Sequence, residues 1–319
     1  MTAKVLLILA LASVAWPALA QDYPTRPIKV ITATSAGGTS DIFMRLIGEE
    51  IHKRWGQPII VENRPGGGMN IGSRACAEAP NDGYTICILP VEPLSYNQFL
   101  YKKIPYDPAK DFEPITNPFF NTQVLVVGSA LNVKSLDELV AYSRAKPGTL
   151  SYVVPSVPLA LFMDTWKQSS GADLVRVPFR GGGEAVNGVL SGATPVAFFG
   201  LANWTQQIRA GTVRPLAVDG EARSPVIPDV PTLRELGYRG PITRVYFGLV
   251  APAGTPKPII HKLRDEIARI GGEPEFRRKR LIEAGLEPVF NTPEEFARFL
   301  EDNRTVAERI VKESGLEPQ

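Results

Sequence analysis

The chain has 319 residues, of which 35 are basic and 33 acidic, with two cysteines and two histidines. This even balance, with no long run of either sign, excludes the basic stripe of a nucleic-acid binder. Two cysteines cannot form a disulfide scaffold, and the length allows two domains of roughly 100–200 residues.

Residues 1–20 read as a secretory signal peptide. Lys4 supplies the positive end, 5–14 is a short apolar run, and Ala18-Leu19-Ala20 is a small-x-small cleavage site, leaving Gln21 as the mature N-terminus. The apolar run falls well short of the ~20 residues that span a bilayer. No cysteine stands at the cut, and no later segment reads as a transmembrane helix. The mature protein is expected outside the cytoplasm, in the periplasm where the cell has one.

The mature fold opens on a strand at 27–32, broken by Ser35-Ala36-Gly37-Gly38. A helix is predicted over 41–55: Thr39 and Ser40 are N-cap candidates, Asp41 suits the first turn, and Gly56 is the stop. Strand 58–62 leads through Gly66-Gly67-Gly68 into a helix at 72–79, and 84–89 is the next strand. The second half replays this scheme: strand 150–154, loop 155–158, helix 159–170 stopped by Gly171, strand 174–179, Gly181-Gly182-Gly183 and helix 184–190. In both halves the stop glycine precedes the triplet by ten residues. The matched order predicts two α/β lobes, each a mainly parallel sheet flanked by helices.

Apolar segments 123–128 and 246–251 read as strands joining the lobes. The first lobe is then discontinuous, 21–122 plus 248–319, with the second lobe at 123–247. Amphipathic helices are expected at 258–270 and 293–312, and two crossings make a hinge. Cys76 and Cys87 lie on a predicted helix and the strand after it. A bridge between them and two independent buried thiols both fit the sequence.

Absences weigh against an enzyme. His52 and His261 sit on charged helix faces, and neither adjoins a serine or cysteine in a glycine-flanked elbow. No HExxH, CxxC, acidic calcium loop or GxxxxGK[ST] occurs. Gly66 to Gly72 departs from G-x-G-x-x-G, so no dinucleotide, and no other cofactor, is expected. A hydrolase built on Asp41 or Glu184 is the enzymatic alternative. What remains is glycine-rich loops before helices, whose backbone N–H groups and helix dipoles suit an anion. Such loops also serve simply as turns, and two of them facing across a cleft favour binding.

The motifs Tyr23-Pro24-Thr25-Arg26-Pro27, Gly37-Gly38-x-x-Asp41, Val61-Glu62-Asn63-Arg64-Pro65-Gly66-Gly67-Gly68-x-Asn70-Ile71-Gly72 and Asp82-Gly83-Tyr84-Thr85 occur in that order. They are followed by Val177-Pro178-Phe179-Arg180-Gly181, Pro228-Asp229-Val230-Pro231-Thr232 and Gly248-Leu249-Val250-Ala251-Pro252-Ala253-Gly254-Thr255-Pro256. The chain resembles the Bug-type receptors, extracytoplasmic substrate-binding proteins of tripartite tricarboxylate transporters. The resemblance implies a two-lobed Venus-flytrap fold, no catalysis, and a small carboxylate held by the first strand–helix loop of each lobe, partly through water. It also implies membrane permease subunits as partners. A ligand-sensing bait for a membrane sensor kinase is the alternative role, and the receptor is expected to act as a monomer.

Two departures mark the grips. Thr34 stands where many relatives have an aromatic, and the second loop is Pro155-Ser156-Val157-Pro158 in place of a Gly/Ser-rich segment followed by His. Both favour an aromatic acid or a longer dicarboxylate over citrate. The expected ligand contacts are Thr34, Ser35, Gly37, Gly38, Asp41, Met69, Asn70, Ser156, Val157, Arg180, Arg244 and Tyr246. Gly38 is expected to open main-chain donors to a ligand oxygen. Asp41 could instead cap its helix, and Arg244 could instead be an exposed hinge residue.

Overall fold

The computed structural model describes residues 23–177, 182–240, 242 and 244–319. The expected signal peptide and Arg180 lie outside them. The first lobe begins β1 (Ile28–Thr32), α1 (Thr39–Trp55), β2 (Ile59–Asn63), α2 (Asn70–Ala77) and β3 (Thr85–Pro90). A π-helical turn, Glu92–Tyr96, runs into α3 (Asn97–Leu100), followed by β4 (Phe112–Thr116) and β5 (Phe119–Asn121). The second lobe holds β6 (Gln123–Gly128), α4 (Leu136–Ala145), β7 (Ser151–Val153), α5 (Val157–Ser170), β8 (Val175–Arg176) and α6 (Gly182–Ser191). It continues through β9 (Val196–Gly200), α7 (Thr205–Arg209) and β10 (Val213–Val218). The chain then returns to the first lobe with β11 (Val245–Pro252), α8 (Lys257–Gly272), α9 (Pro274–Phe276), β12 (Leu286–Pro288) and α10 (Pro293–Glu313).

Each sheet is built around the same parallel trio. In the first, β1 pairs with β2 and β3, Val30 opposite Val61 and Ile86. In the second, β7 pairs with β8 and β9. An antiparallel strand then closes each trio: β11, from far along the chain, against β3, and β6, which precedes its trio, against β9. The full orders are β12-β5-β11-β3-β1-β2, with β4 also on β11, and β10-β6-β9-β7-β8. The sheets are therefore mixed rather than mainly parallel. Parallel pairing is confined to the strand–helix–strand crossovers, and every strand that enters or leaves a lobe runs antiparallel.

The strands expected to join the lobes each belong to one sheet. Gln123–Gly128 lies wholly in the second sheet and Val245–Pro252 wholly in the first. The chain passes between sheets at Thr122 and again after Gly240, before β11; residues 219–238 fold back onto the second lobe, where Thr232 bridges Val218 and Tyr238 packs on Phe162. All eight residues of β11 are buried, because strands flank it and helices cover both its faces. Around it Ile86, Cys87, Ile88 and Leu89 meet Met44, Ile47 and Ile51 of α1, Ile260, Leu263 and Ile267 of α8, and Phe296 of α10. Val124, Val126, Val153, Ala197, Trp204 and Val218 form a separate core in the second lobe.

Of the two readings for the cysteines, the bridge forms. Cys76 on α2 and Cys87 on β3 are joined with Cα atoms 6.1 Å apart, stapling the helix to the middle of the first sheet.

Candidate functional site

In α/β sheets, ligands bind beyond the carboxyl ends of parallel strands, where loops meet helix N-termini. Here that edge carries the loops after β1, β2 and β3 in one lobe, and those after β7, β8 and β9 in the other.

The loop after β1 is held by its own groups. Thr32, Thr34 and Ser40 bring their hydroxyls together: Thr34 Oγ1 lies 2.6 Å and Thr32 Oγ1 2.8 Å from Ser40 Oγ, with 3.0 Å between the threonines. Asn63 donates to the Thr34 carbonyl at 3.2 Å. The N-cap of α1 is Gly38, and Thr39 and Ser40 are already helical. With no side chain to cap the helix, Ile42 N–H reaches the Gly38 carbonyl at 3.0 Å.

Asp41 lies in the first turn with its side chain 4 % exposed. One carboxylate oxygen accepts the Gly37 N–H at 2.9 Å, and Arg45 reaches both oxygens. Burial alone would raise the Asp41 pKa. Hydrogen bonds from Arg45, Gly37 and Asn63, with the Arg45 charge, outweigh it and hold the carboxyl below its usual range. Asp41 thus folds the loop back onto the helix and keeps a negative charge there. Gly38 N–H likewise turns inward, to Ser35 O at 3.2 Å. The two glycine N–H groups are therefore engaged within the loop itself. Those of Ser35, Ala36, Thr39 and Ser40 make no hydrogen bond among the described residues, and Ser35, Ala36 and Gly37 are exposed. They are the unengaged N–H groups of this loop.

The loop after β2 is set by its backbone. Gly66, Gly67, Gly68 and Met69 all have positive φ, 111°, 56°, 62° and 73°. A Cβ on Gly68 would run into the Tyr101 hydroxyl. Asn70 opens α2 and its Oδ1 accepts from Asn97 Nδ2 and from Tyr106 OH, each at 2.8 Å. Asn97 also donates to the Gly68 carbonyl at 2.8 Å. Asn70 thereby fastens the triglycine loop to α3, while Met69 and Asn70 stay half-buried.

In the second lobe, Ser156 is the N-cap of α5, and Val157 and Pro158 form its first turn. The Ser156 hydroxyl is buried and makes no hydrogen bond of normal geometry among the described residues. It faces Glu92, at the end of β3 in the other lobe. Burial pushes the Glu92 carboxyl upward, and the Ser156 hydroxyl partly offsets this. The two lobes therefore meet where their strand–helix loops meet. Val157 is exposed beside this junction. At the hinge, Arg244 is held by Glu287 at 2.6 Å with its side chain 13 % exposed, and its guanidinium lies 4.3 Å from the Phe120 ring centre. It is thus a mostly covered residue. Tyr246 is fully buried, bonded through its hydroxyl to Ser95 at 2.8 Å and packed on Phe296 and Phe299. It is a first-lobe core residue and presents no face to a cleft.

No group of three or more potential metal ligands occurs, and no helix is long and apolar enough to cross a membrane, among the described residues. The profile of the tripartite tricarboxylate transporter family receptors matches residues 43–316. The chain belongs to that family. Its members are substrate-binding receptors rather than enzymes, and the solved ones are periplasmic binding proteins of this fold. Protein BugT of Bordetella pertussis is 31% identical over 97% of this chain and 95% of its own. An R. palustris protein solved with adipate has a TM-score of 0.85 at 30% identity, covering 93% of this chain and all of that one. MatC from Rhodopseudomonas palustris with bound malate has a TM-score of 0.77 at 29% identity, covering 91% and 100%.

Within this receptor, two polar residues at the lobe junctions escaped the sequence reading. Glu92 stands just beyond β3 and Asp219 just beyond β10, each the first charged residue after an apolar strand ending. A lone carboxylate in that place is the signal that could have found them. Strands deliver their next residue to the sheet edge, so a charge there must be functional or specially accommodated.

Proposed function

We propose that this receptor captures a small organic carboxylate between the β1–α1 and β7–α5 loops and hands it to the membrane permease of a tripartite tricarboxylate transporter. The observation that carries this reading is the paired arrangement of the two loops. Each follows the central strand of a parallel trio and opens a long helix, and the lobes approach one another there through Glu92 and Ser156. In this reading Ser35, Ala36, Thr39 and Ser40 offer N–H groups to one carboxylate, aided by the positive end of α1. Thr34, Gly37, Gly38 and Asp41 shape that loop, Met69 and Asn70 border it, and Ser156 and Val157 meet the ligand from the second lobe. Arg180 is the proposed cation of that lobe.

The favoured ligand is a longer dicarboxylate or an aromatic acid. Pro155 and Pro158 bring no N–H group to the second grip, while Val157, Ile42 and Ile71 expose apolar surface at 37%, 50% and 55%. Burying ligand carbon there is worth roughly 25 cal/mol per Å², whereas each unpaired oxygen costs ~1–3 kcal/mol. The adipate bound to the R. palustris relative is a ligand of this kind. A thermal-shift panel of adipate, longer dicarboxylates, aromatic acids, malate and citrate tests the reading. Adipate-like or aromatic acids should give the largest shift. A larger shift from malate or citrate would overturn the ligand preference, and no shift from any carboxylate would overturn capture itself.

A further inference from the structure

Beside the places where the chain passes between the two sheets, complementary polar atoms are buried without partners among the described residues. Asp219 directly follows β10 in the second lobe and is fully buried. Its Oδ1 accepts the N–H of Gln123, the first residue after the Thr122 passage, at 2.7 Å, and its own N–H donates to Gln123 O at 3.1 Å. This ring of two hydrogen bonds ties the end of β10 to the Thr122 passage. Asp219 Oδ2 is left buried with no partner among the described residues. Arg244 lies just before β11, where the chain re-enters the first lobe. Its NH2 group is held by Glu287, and its Nε is buried and equally unpartnered. The charge of Arg244 is felt at Asp219, yet no hydrogen bond joins them.

Unsatisfied buried groups are rare enough that each calls for a reason. Here an orphaned acceptor at the end of the second lobe's β10 and an orphaned donor just before the first lobe's β11 stand on the two sides of the crossing, near enough for the charge of one to act on the other. We propose that Asp219 and Arg244 form a two-position latch on the hinge, apart in the lobe arrangement seen here and joined as a buried ion pair in a second arrangement, so that pH shifts the balance between the two.

The charged groups that reach Asp219 among the described residues are Arg244, before β11, and Glu287, on β12. Burial raises the Asp219 pKa to about 7, opposed by Arg244 and the Gln123 N–H and reinforced by Glu287. Joining Arg244 would lower it. The arrangement seen here therefore binds the proton more tightly and prevails at low pH. The joined arrangement gains as pH rises through neutrality.

The inference rests on the reading that the lobes move about these passages, and its test needs no ligand. Spin labels at Glu49→Cys on α1 and Ala141→Cys on α4 report the interlobe distance, since both native cysteines are paired. Between pH 5.5 and 8.5 the ligand-free protein should show two distance populations whose ratio changes at least about fivefold, with a midpoint near 7. Asp219→Asn, which keeps an acceptor for the Gln123 N–H, should fix the low-pH distance at every pH. Glu287→Gln, which frees Arg244, should move the midpoint downward and serves should the first variant fold poorly. A single population across this range, or an unchanged pH response in both variants, overturns the latch. Whether adipate alters the same distance is read separately, so failure of capture and failure of the latch give different results.

Discussion

In the first lobe, the loop after β1 satisfies itself: three hydroxyls meet one another, Asp41 holds the Gly37 N–H, and Ser35 O holds that of Gly38. In the second lobe, the loop after β7 ends on a buried hydroxyl with no hydrogen bond of normal geometry among the described residues and a carboxyl from the other lobe opposite. The first lobe is also stapled by Cys76–Cys87, while the second has no disulfide. One loop is therefore satisfied by its own groups, and in the proposed function the other is completed by the ligand. A rigid jaw fixes where a carboxylate sits, and an unsatisfied jaw gains most from closing on it.

The comparison is broken most directly by removing the staple. Cys76→Ser with Cys87→Ser should cost roughly 2–3 kcal/mol in urea unfolding, given the short loop the bridge closes. An equal loss of order in both lobes by hydrogen exchange would contradict a rigid first jaw. Next in size, Asp41→Ala should cost about 2 kcal/mol by stranding the Gly37 N–H and Arg45. Because the folded Asp41 pKa is depressed, its contribution is present above the ordinary carboxylate value. It is lost as pH falls through the lower, folded value, so acid unfolding of the variant should show a shallower pH dependence. Gly38→Val sharpens the picture differently. A Cβ there would stand 3.1 Å from Ser35 O, so the turn must shift and carboxylate affinity should fall by ~1–2 kcal/mol while the fold survives. Calorimetry showing wild-type adipate affinity in that variant would remove the loop from the site. The smallest effect belongs to the second jaw. Ser156→Ala deletes a hydroxyl that makes no hydrogen bond of normal geometry among the described residues, only a weak contact with Glu92, so stability should change by less than ~0.5 kcal/mol. Affinity should still drop, and a variant that loses stability but not affinity would reverse the contrast.

The elements that punctuate themselves were legible in the sequence. Gly56 and Gly171 end α1 and α5 in the left-handed region, with φ of 71° and 70°, as stop glycines do. The Gly66–Gly68 turn lies where its three glycines put it, because three successive positive φ values exclude nearly every other residue. The repeated strand–helix order also carried over into the two parallel trios. Less legible was everything fixed by distant pairing. β5 and β12 are three-residue strands that exist only through each other and β11. The helix start at Thr39 escaped because Gly38 caps α1 by backbone alone. Tyr246 was misplaced for a related reason. A strand buried on both faces has no alternation from which to read which way a side chain points. Asp41 was left between two roles, and its contact with the Gly37 N–H shows a third, folding the loop that precedes its helix.

The placement of β11 sets an order of assembly. Strands β6 to β10 come from one continuous stretch, so the second sheet can form from local contacts as soon as that stretch has been synthesised. The first sheet cannot. Its β3 edge, with Ile88 and Leu89 awaiting Leu249 and Gly248, stays open until the far end of the chain emerges. During synthesis the amino-terminal half is thus an incomplete sheet with a bare apolar edge, the kind of surface chaperones hold and misfolding exploits. Completion of the first sheet therefore waits until the final quarter of the chain is made.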